Sequence, residues 1–242
     1  MTSIKSIVLV ILWVTMSVGG LSGCASNGKD QLPRGPIKKI AILPIQNPLW
    51  ITLDRSGSPY VLLGFIGQSL ARAEIAAKSD GFRNKIREHK LAIGEDLMAA
   101  LEQGLIEQHF DVVVLRDQNM GYDEPKDFDY RKLTTDADAI IHVIIDKSGV
   151  SSPLLTPSYR PQLNVDVRII SAKNQRKIDD WGVEYGADAS MSDSGNIPAD
   201  PKYAWLTYET LLQRIPEVVE GLQMGAKVLG SQIAKTLREK KL

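Results

Sequence analysis

Apart from its amino-terminal end, the most hydrophobic run of the chain is Ala139-Ile140-Ile141-His142-Val143-Ile144-Ile145, and it does not alternate. A strand that is apolar at successive positions needs cover on both faces, as in the parallel sheets of α/β proteins. Ile40 to Leu43 and Val112 to Leu115 have the same character. Between those two runs lie long helix-compatible stretches. In Ala92 to Gln108, the residues Leu97, Met98, Leu101, Leu105 and Ile106 recur at helical spacing, with Glu95, Asp96, Glu102 and Glu107 on the other face. Tyr60 to Lys90 is free of proline and carries Val61, Leu62, Leu63, Phe65, Ile66, Leu70 and Ile75, with Gly64, Gly67, Ala71 and Ala73 small enough for close helix contact. A connection of that length implies parallel strands joined by a right-handed crossover. Parallel strands are therefore expected at 37–45, 111–115 and 138–146, with the last one central.

The pattern then changes to period two. Leu163, Val165, Val167 and Ile169 alternate with Asn164, Asp166 and Arg168, and Ile178, Trp181, Val183 and Tyr185 follow a turn at Ser171 to Gln175. Residues 163–187 thus read as an antiparallel hairpin with one wet face. Asp200-Pro201 reads as a helix start. Trp205, Leu206, Leu211 and Leu212 would line that helix, and Pro216 would kink or restart it. Val218, Leu222, Val228, Leu229 and Ile233 carry it to a basic end at Lys235, Arg238, Lys240 and Lys241, which suits the helix dipole. Residues 46–59, 116–135, 148–161 and 188–199 read as loops, with Trp50 and Ile51 expected to pack back on the core. The fold class is α/β: a three-layer-like mixed sheet, parallel strands plus a C-terminal antiparallel hairpin, flanked by helices and closed by a long C-terminal helix.

The amino-terminal end is of another kind. Lys5 precedes an unbroken apolar run from Ile7 to Val18, then Leu21-Ser22-Gly23-Cys24, and the chain turns polar at once. That order reads as a signal peptide over residues 1–23, cut between Gly23 and Cys24. The apolar run is too short, and too closely followed by Gly19-Gly20, to read as a membrane span. Leu21-Ser22-Gly23-Cys24 resembles the lipobox of bacterial lipoproteins. The resemblance implies a diacylglyceryl thioether on the Cys24 thiol and an acylated new amine, so that the lipid bilayer is a partner. Each buried acyl methylene contributes about 0.8 kcal/mol, so two or three chains make release negligible. Ala25 after the cysteine, where an aspartate would signal inner-membrane retention, implies the outer membrane by the enterobacterial sorting rule. Residues 24–36, with Ser26, Asn27, Gly28, Pro33, Gly35 and Pro36, form a lipidated tether. Residues 37–242 are expected to form a single α/β domain with a helical extension, for which the resemblance implies the periplasm.

Twenty-nine basic and twenty-nine acidic side chains leave no net charge, hence no bulk attraction to nucleic acid. Cys24 is the only cysteine, so the domain is stabilised by burial without disulfides. His89, His109 and His142 stand far apart, and no metal is expected. His142, inside an apolar strand, reads as a hydrogen-bonded core or edge histidine. The acidic cluster Asp123, Glu124, Asp127 and Asp129 lacks the ligand spacing of a calcium loop. Ser192-Asp193-Ser194-Gly195 lacks the strand–turn–helix setting of a nucleophile elbow. Asp179 and Asp180, as strand neighbours, face opposite ways. No catalytic residues and no cofactor are expected.

Ile40-Ala41-Ile42-Leu43-Pro44, the helix before Asp111-Val112-Val113-Val114, and Asp136-Ala137-Asp138-Ala139-Ile140-Ile141-His142-Val143 occur in that order. Over residues 37 to 187 the chain resembles the α/β domain shared by the TolB amino-terminal domain and several Gram-negative envelope lipoproteins, CsgG and the penicillin-binding-protein activators among them. That resemblance implies a non-catalytic adaptor, regulator or assembly factor that binds other envelope proteins. The alternative it implies is an oligomeric component of a CsgG-like secretion channel, which would require self-association. Residues 52–90 read as helices rather than as membrane-inserting hairpins. Tyr60–Lys78 and the helix Tyr203–Leu237 carry the candidate interaction surface, at Phe65, Ile66, Leu70, Trp205, Leu212 and Leu222.

Overall fold

The computed structural model describes residues 36–55, 64–116, 128–152, 158–186 and 196–240. Its described elements are β1 (Lys39–Ile42), β2 (Thr52–Arg55), α1 (Gly64–Arg87), α2 (Ile93–Glu107), β3 (Asp111–Val114), β4 (Ala139–Ser152), β5 (Arg160–Ser171), β6 (Lys177–Gly186), α3 (Tyr208–Gln213) and α4 (Ile215–Glu239), with a 3-10 turn at Tyr130–Lys132. The sheet runs β3-β1-β4-β5-β6, and β2 pairs with β4 off that path. β1 is parallel to both β3 and β4, while β4, β5 and β6 are antiparallel to one another. The mixed α/β sheet, the central place of β4 and the long C-terminal helix are as the hydrophobic pattern implies.

One face of the sheet carries Ile40, Ile42, Ile141, Val143, Leu163, Val165, Val167 and Ile169, packed with Phe82 and Ile86 of α1 and the apolar faces of α2 and α4. On α4 the buried positions Ile215, Val218, Leu222, Ala226, Leu229, Ile233 and Leu237 recur every three to four residues. The other face carries Ala41, Leu43, Ile140 and Ile170 under Leu133, Phe128 and Tyr130, so among the described residues its cover is the 128–137 segment.

The close helix contact falls on glycines that the reading of Tyr60–Lys90 did not single out. A Cβ at Gly230 would sit 2.7 Å from Leu97 O and Leu101 N, and one at Gly104 would sit 2.9 Å from the Ala234 Cβ. α2 and α4 therefore touch almost backbone to backbone.

Three expectations are corrected. Residues 46–59 are not wholly loop, because Thr52–Arg55 pairs in parallel with Gly149–Ser152. β4 does not end at Asp146 but bulges there and runs on to Ser152. Gly149 makes this pairing feasible, since any Cβ there would meet Thr52 O. Asp200-Pro201 starts no helix: Trp205 forms an antiparallel bridge with Tyr159, and Thr207 caps α3 by accepting from Thr210 N. Pro216 does restart the helix, in the first turn of α4, where its missing N–H costs nothing.

Candidate functional site at the break between two strands

β5 pairs along one edge of β4. The other edge is shared: β1 takes Ala139–Ile141, and β2 takes Gly149–Ser152. Between them, residues 142–148 have no strand partner on that side among the described residues. The chain from Leu43 to Ile51 passes this break as an irregular loop. Pro44 and Pro48 have no N–H to give to a ladder. The break encloses a cavity of about 200 Å3 lined by Pro44, Asn47, Leu49, Trp50, His142 and Val143–Ser148, among others.

The loop is held firmly. Ile45 and Ile51 are buried in the core at its two ends. Gly94 N donates to Asn47 Oδ1 at 2.7 Å, and Asn47 Nδ2 donates to Glu95 Oε2 at 2.7 Å. Asn47 thus caps α2 from a distance, in place of Ala92, which offers no side-chain cap. Only glycine fits at position 94, because a Cβ would lie 2.5 Å from Ile45 O. Beyond the break, Ser148 Oγ donates to Trp50 O and Thr52 Oγ1 donates to Ser148 O, each at 3.2 Å. Both hydroxyls are thus committed to backbone carbonyls rather than to a base.

From this fixed loop Leu49 and Trp50 project side by side, each 62% exposed. Ile51 packs on the core as expected, whereas Trp50 does not. A large apolar pair held in water beside a part-polar cavity is the usual look of a contact site. The sequence signal available was Pro48-Leu49-Trp50 itself, an apolar triplet in a proline-bounded loop.

His142 forms one wall and is 1% exposed. Its Nδ1 lies 2.8 Å from the Tyr130 hydroxyl, and the Phe128 and Tyr130 rings stand edge-on to it. Burial, helped by the Arg168 charge, pushes its pKa down to about 4. Burial likewise raises the pKa of Tyr130, opposed in part by the nearby Arg168. The ring is therefore neutral, Tyr130 donates to Nδ1, and the imidazole hydrogen is assigned to Nε2.

The residues singled out from the sequence are not gathered here. Gly23 and Cys24 lie outside the described residues, as do Asp123, Glu124, Asp127 and Ser192 to Gly195. Phe65, Ile66 and Leu70 fall in the first two turns of α1, with side chains outside the described part. Trp205, at 2% exposure, and Leu222, fully buried, belong to the core, which removes them from the surface of this fold. Leu212 is half-buried against the core. Asp179 accepts from Lys240 Nζ at 2.6 Å, and Asp180 pairs with Lys177 at 2.7 Å, so the two carboxylates do act apart. Asp129 accepts from Arg131 N and starts the 3-10 turn. No group of three metal-ligating side chains and no helix long and apolar enough to cross a membrane occurs among the described residues.

No family model matches the sequence, and no curated protein does. Solved structures similar to it include the lipoprotein GNA1162 from Neisseria meningitidis, 12% identical over 65% of this chain and 88% of that one, at a TM-score of 0.34. Protein XCC0632 from Xanthomonas campestris is 7% identical over 86% of this chain and 93% of that one, at 0.36. The PelC dodecamer from Paraburkholderia phytofirmans is 10% identical over 77% and 87%, at 0.28. The neighbours thus include bacterial lipoproteins. At such scores the likeness carries no argument about function.

Proposed function

We propose that this chain is a lipid-anchored protein of the bacterial cell envelope, tethered through Cys24, whose domain binds another envelope protein without catalysis. The observation that carries the binding half is the exposed Leu49–Trp50 pair lining the cavity between β1 and β2, on a loop tied down at Asn47 and at the Trp50 carbonyl. The anchor half rests on Leu21-Ser22-Gly23-Cys24 after the signal-like run. Ala25 favours the outer membrane, with the domain facing the periplasm. The resemblance of residues 37 to 187 to the TolB amino-terminal and CsgG-like lipoprotein group is what suggests an adaptor, regulator or assembly role.

The test is chemical cross-linking in cells followed by recovery of the protein in mild detergent. The native chain should yield one reproducible envelope protein, and Leu49→Ser/Trp50→Ser and Cys24→Ala should each lose it. Recovery of nothing but copies of this chain in a discrete ring would replace the adaptor reading by the secretion-component one.

A further inference from the structure

The backbone of β4 supplies a way to hold a partner at this cavity. Leu43 N donates to Ile141 O at 3.0 Å, so Ile141 turns its peptide groups toward β1. Period two sets the N–H and C=O of Val143 and Ile145 on the same side, facing the cavity they line, while the alternate residues face β5. No backbone bond joins residues 44–51 to these groups among the described residues. Peptide groups that line a cavity without a protein partner are ready donors and acceptors for an incoming ligand. Two donor–acceptor sets at strand spacing, about 7 Å apart, match one class of ligand: another extended backbone. A sugar or an acyl chain does not present alternating amide donors and acceptors at that interval.

We propose that the break in the sheet receives a short extended peptide segment of a protein partner. That segment pairs with β4 at Val143 and Ile145 and lays an apolar side chain against Leu49 and Trp50. A cavity of about 200 Å3 suits a short segment rather than a full added strand. This inference rests on the partner-binding reading of the cavity and adds its mode.

The experiment uses the full chain in detergent micelles, with amide hydrogen exchange followed residue by residue. The probes are acetyl-Val-Thr-Val-Thr-Val-Thr-amide and a twin N-methylated at every backbone amide, so that neither edge of the peptide can donate. The unmodified peptide at about 90% occupancy should slow exchange at Val143 and Ile145 about tenfold. The methylated twin should leave both amides unprotected, and Leu49→Ser/Trp50→Ser should weaken the protection. Equal effects from the two peptides, or no protection at these amides from either, would overturn the pairing. If cross-links in cells still require Leu49 and Trp50 in that event, protein binding stands and only its mode falls. If they do not, the binding reading fails with it.

Discussion

Acid should lower the stability of this domain over two successive pH ranges, and His142 sets the first. Its pKa is about 4 in the fold, because burial and the Arg168 charge disfavour the imidazolium, against roughly 6.5 in an unfolded chain. Between those values the unfolded state binds the extra proton, so stability falls as pH drops. The difference amounts to about 2 kcal/mol between pH 7 and pH 5, and about 3 kcal/mol by the time both states are protonated. Carboxylates held low by their partners, Asp136 beside Lys39 and Glu220 beside Tyr203 and Lys202, lose their contribution only as pH falls through the ordinary carboxylate range and below. The window above pH 5 therefore belongs mainly to His142. Urea unfolding of the full chain in detergent at several pH values measures this, beside His142→Asn, which does not titrate. The native chain should lose about 2 kcal/mol more than the variant over that range. Equal pH slopes for the two would refute the burial argument.

Gly230→Ala should destabilise the fold by about 1–3 kcal/mol, since the new methyl meets Leu97 O and Leu101 N and neither backbone can give way; urea unfolding reads it. Asn47→Ala should cost about 1 kcal/mol through the lost cap on α2, and limited proteolysis should then cut within 43–51 first. Leu49→Ser/Trp50→Ser should change stability by no more than about 0.5 kcal/mol, because both side chains are exposed. Cys24→Ala should abolish incorporation of labelled palmitate and move the protein from the membrane to the soluble fraction.

The core was legible because its periods are clean. Ile40 to Leu43 and Ala139 to Ile145 are continuous, Leu163 to Ile169 alternates, and Val218 to Ile233 repeats every three to four residues. The alternating and the three-to-four patterns each point to one geometry, while the continuous runs are read as strands from their short length and their β-branched residues. β2 was not legible, since Thr52-Leu53-Asp54-Arg55 has one apolar residue and its reason for pairing lies far away, in the missing side chain of Gly149. Trp205 misled for a related reason. Its neighbours Leu206 and Leu211 suggested a helix face, but the bridge to Tyr159 turns Trp205 inward and leaves Leu206 71% exposed. The cavity had no signature in any single stretch, because it arises where two strands share one edge of a third. Only Pro48-Leu49-Trp50 hinted at it.

The central claim is that this anchored domain meets its partner through Leu49 and Trp50. A photo-activated cross-linker placed at position 50 in living cells tests it most directly, with the same group at Leu206, which is at least as exposed, as control. One protein adduct of fixed mass from position 50, absent from position 206 and absent when Cys24 is alanine, is the predicted result. The same adducts from both positions, or none from position 50, would contradict it.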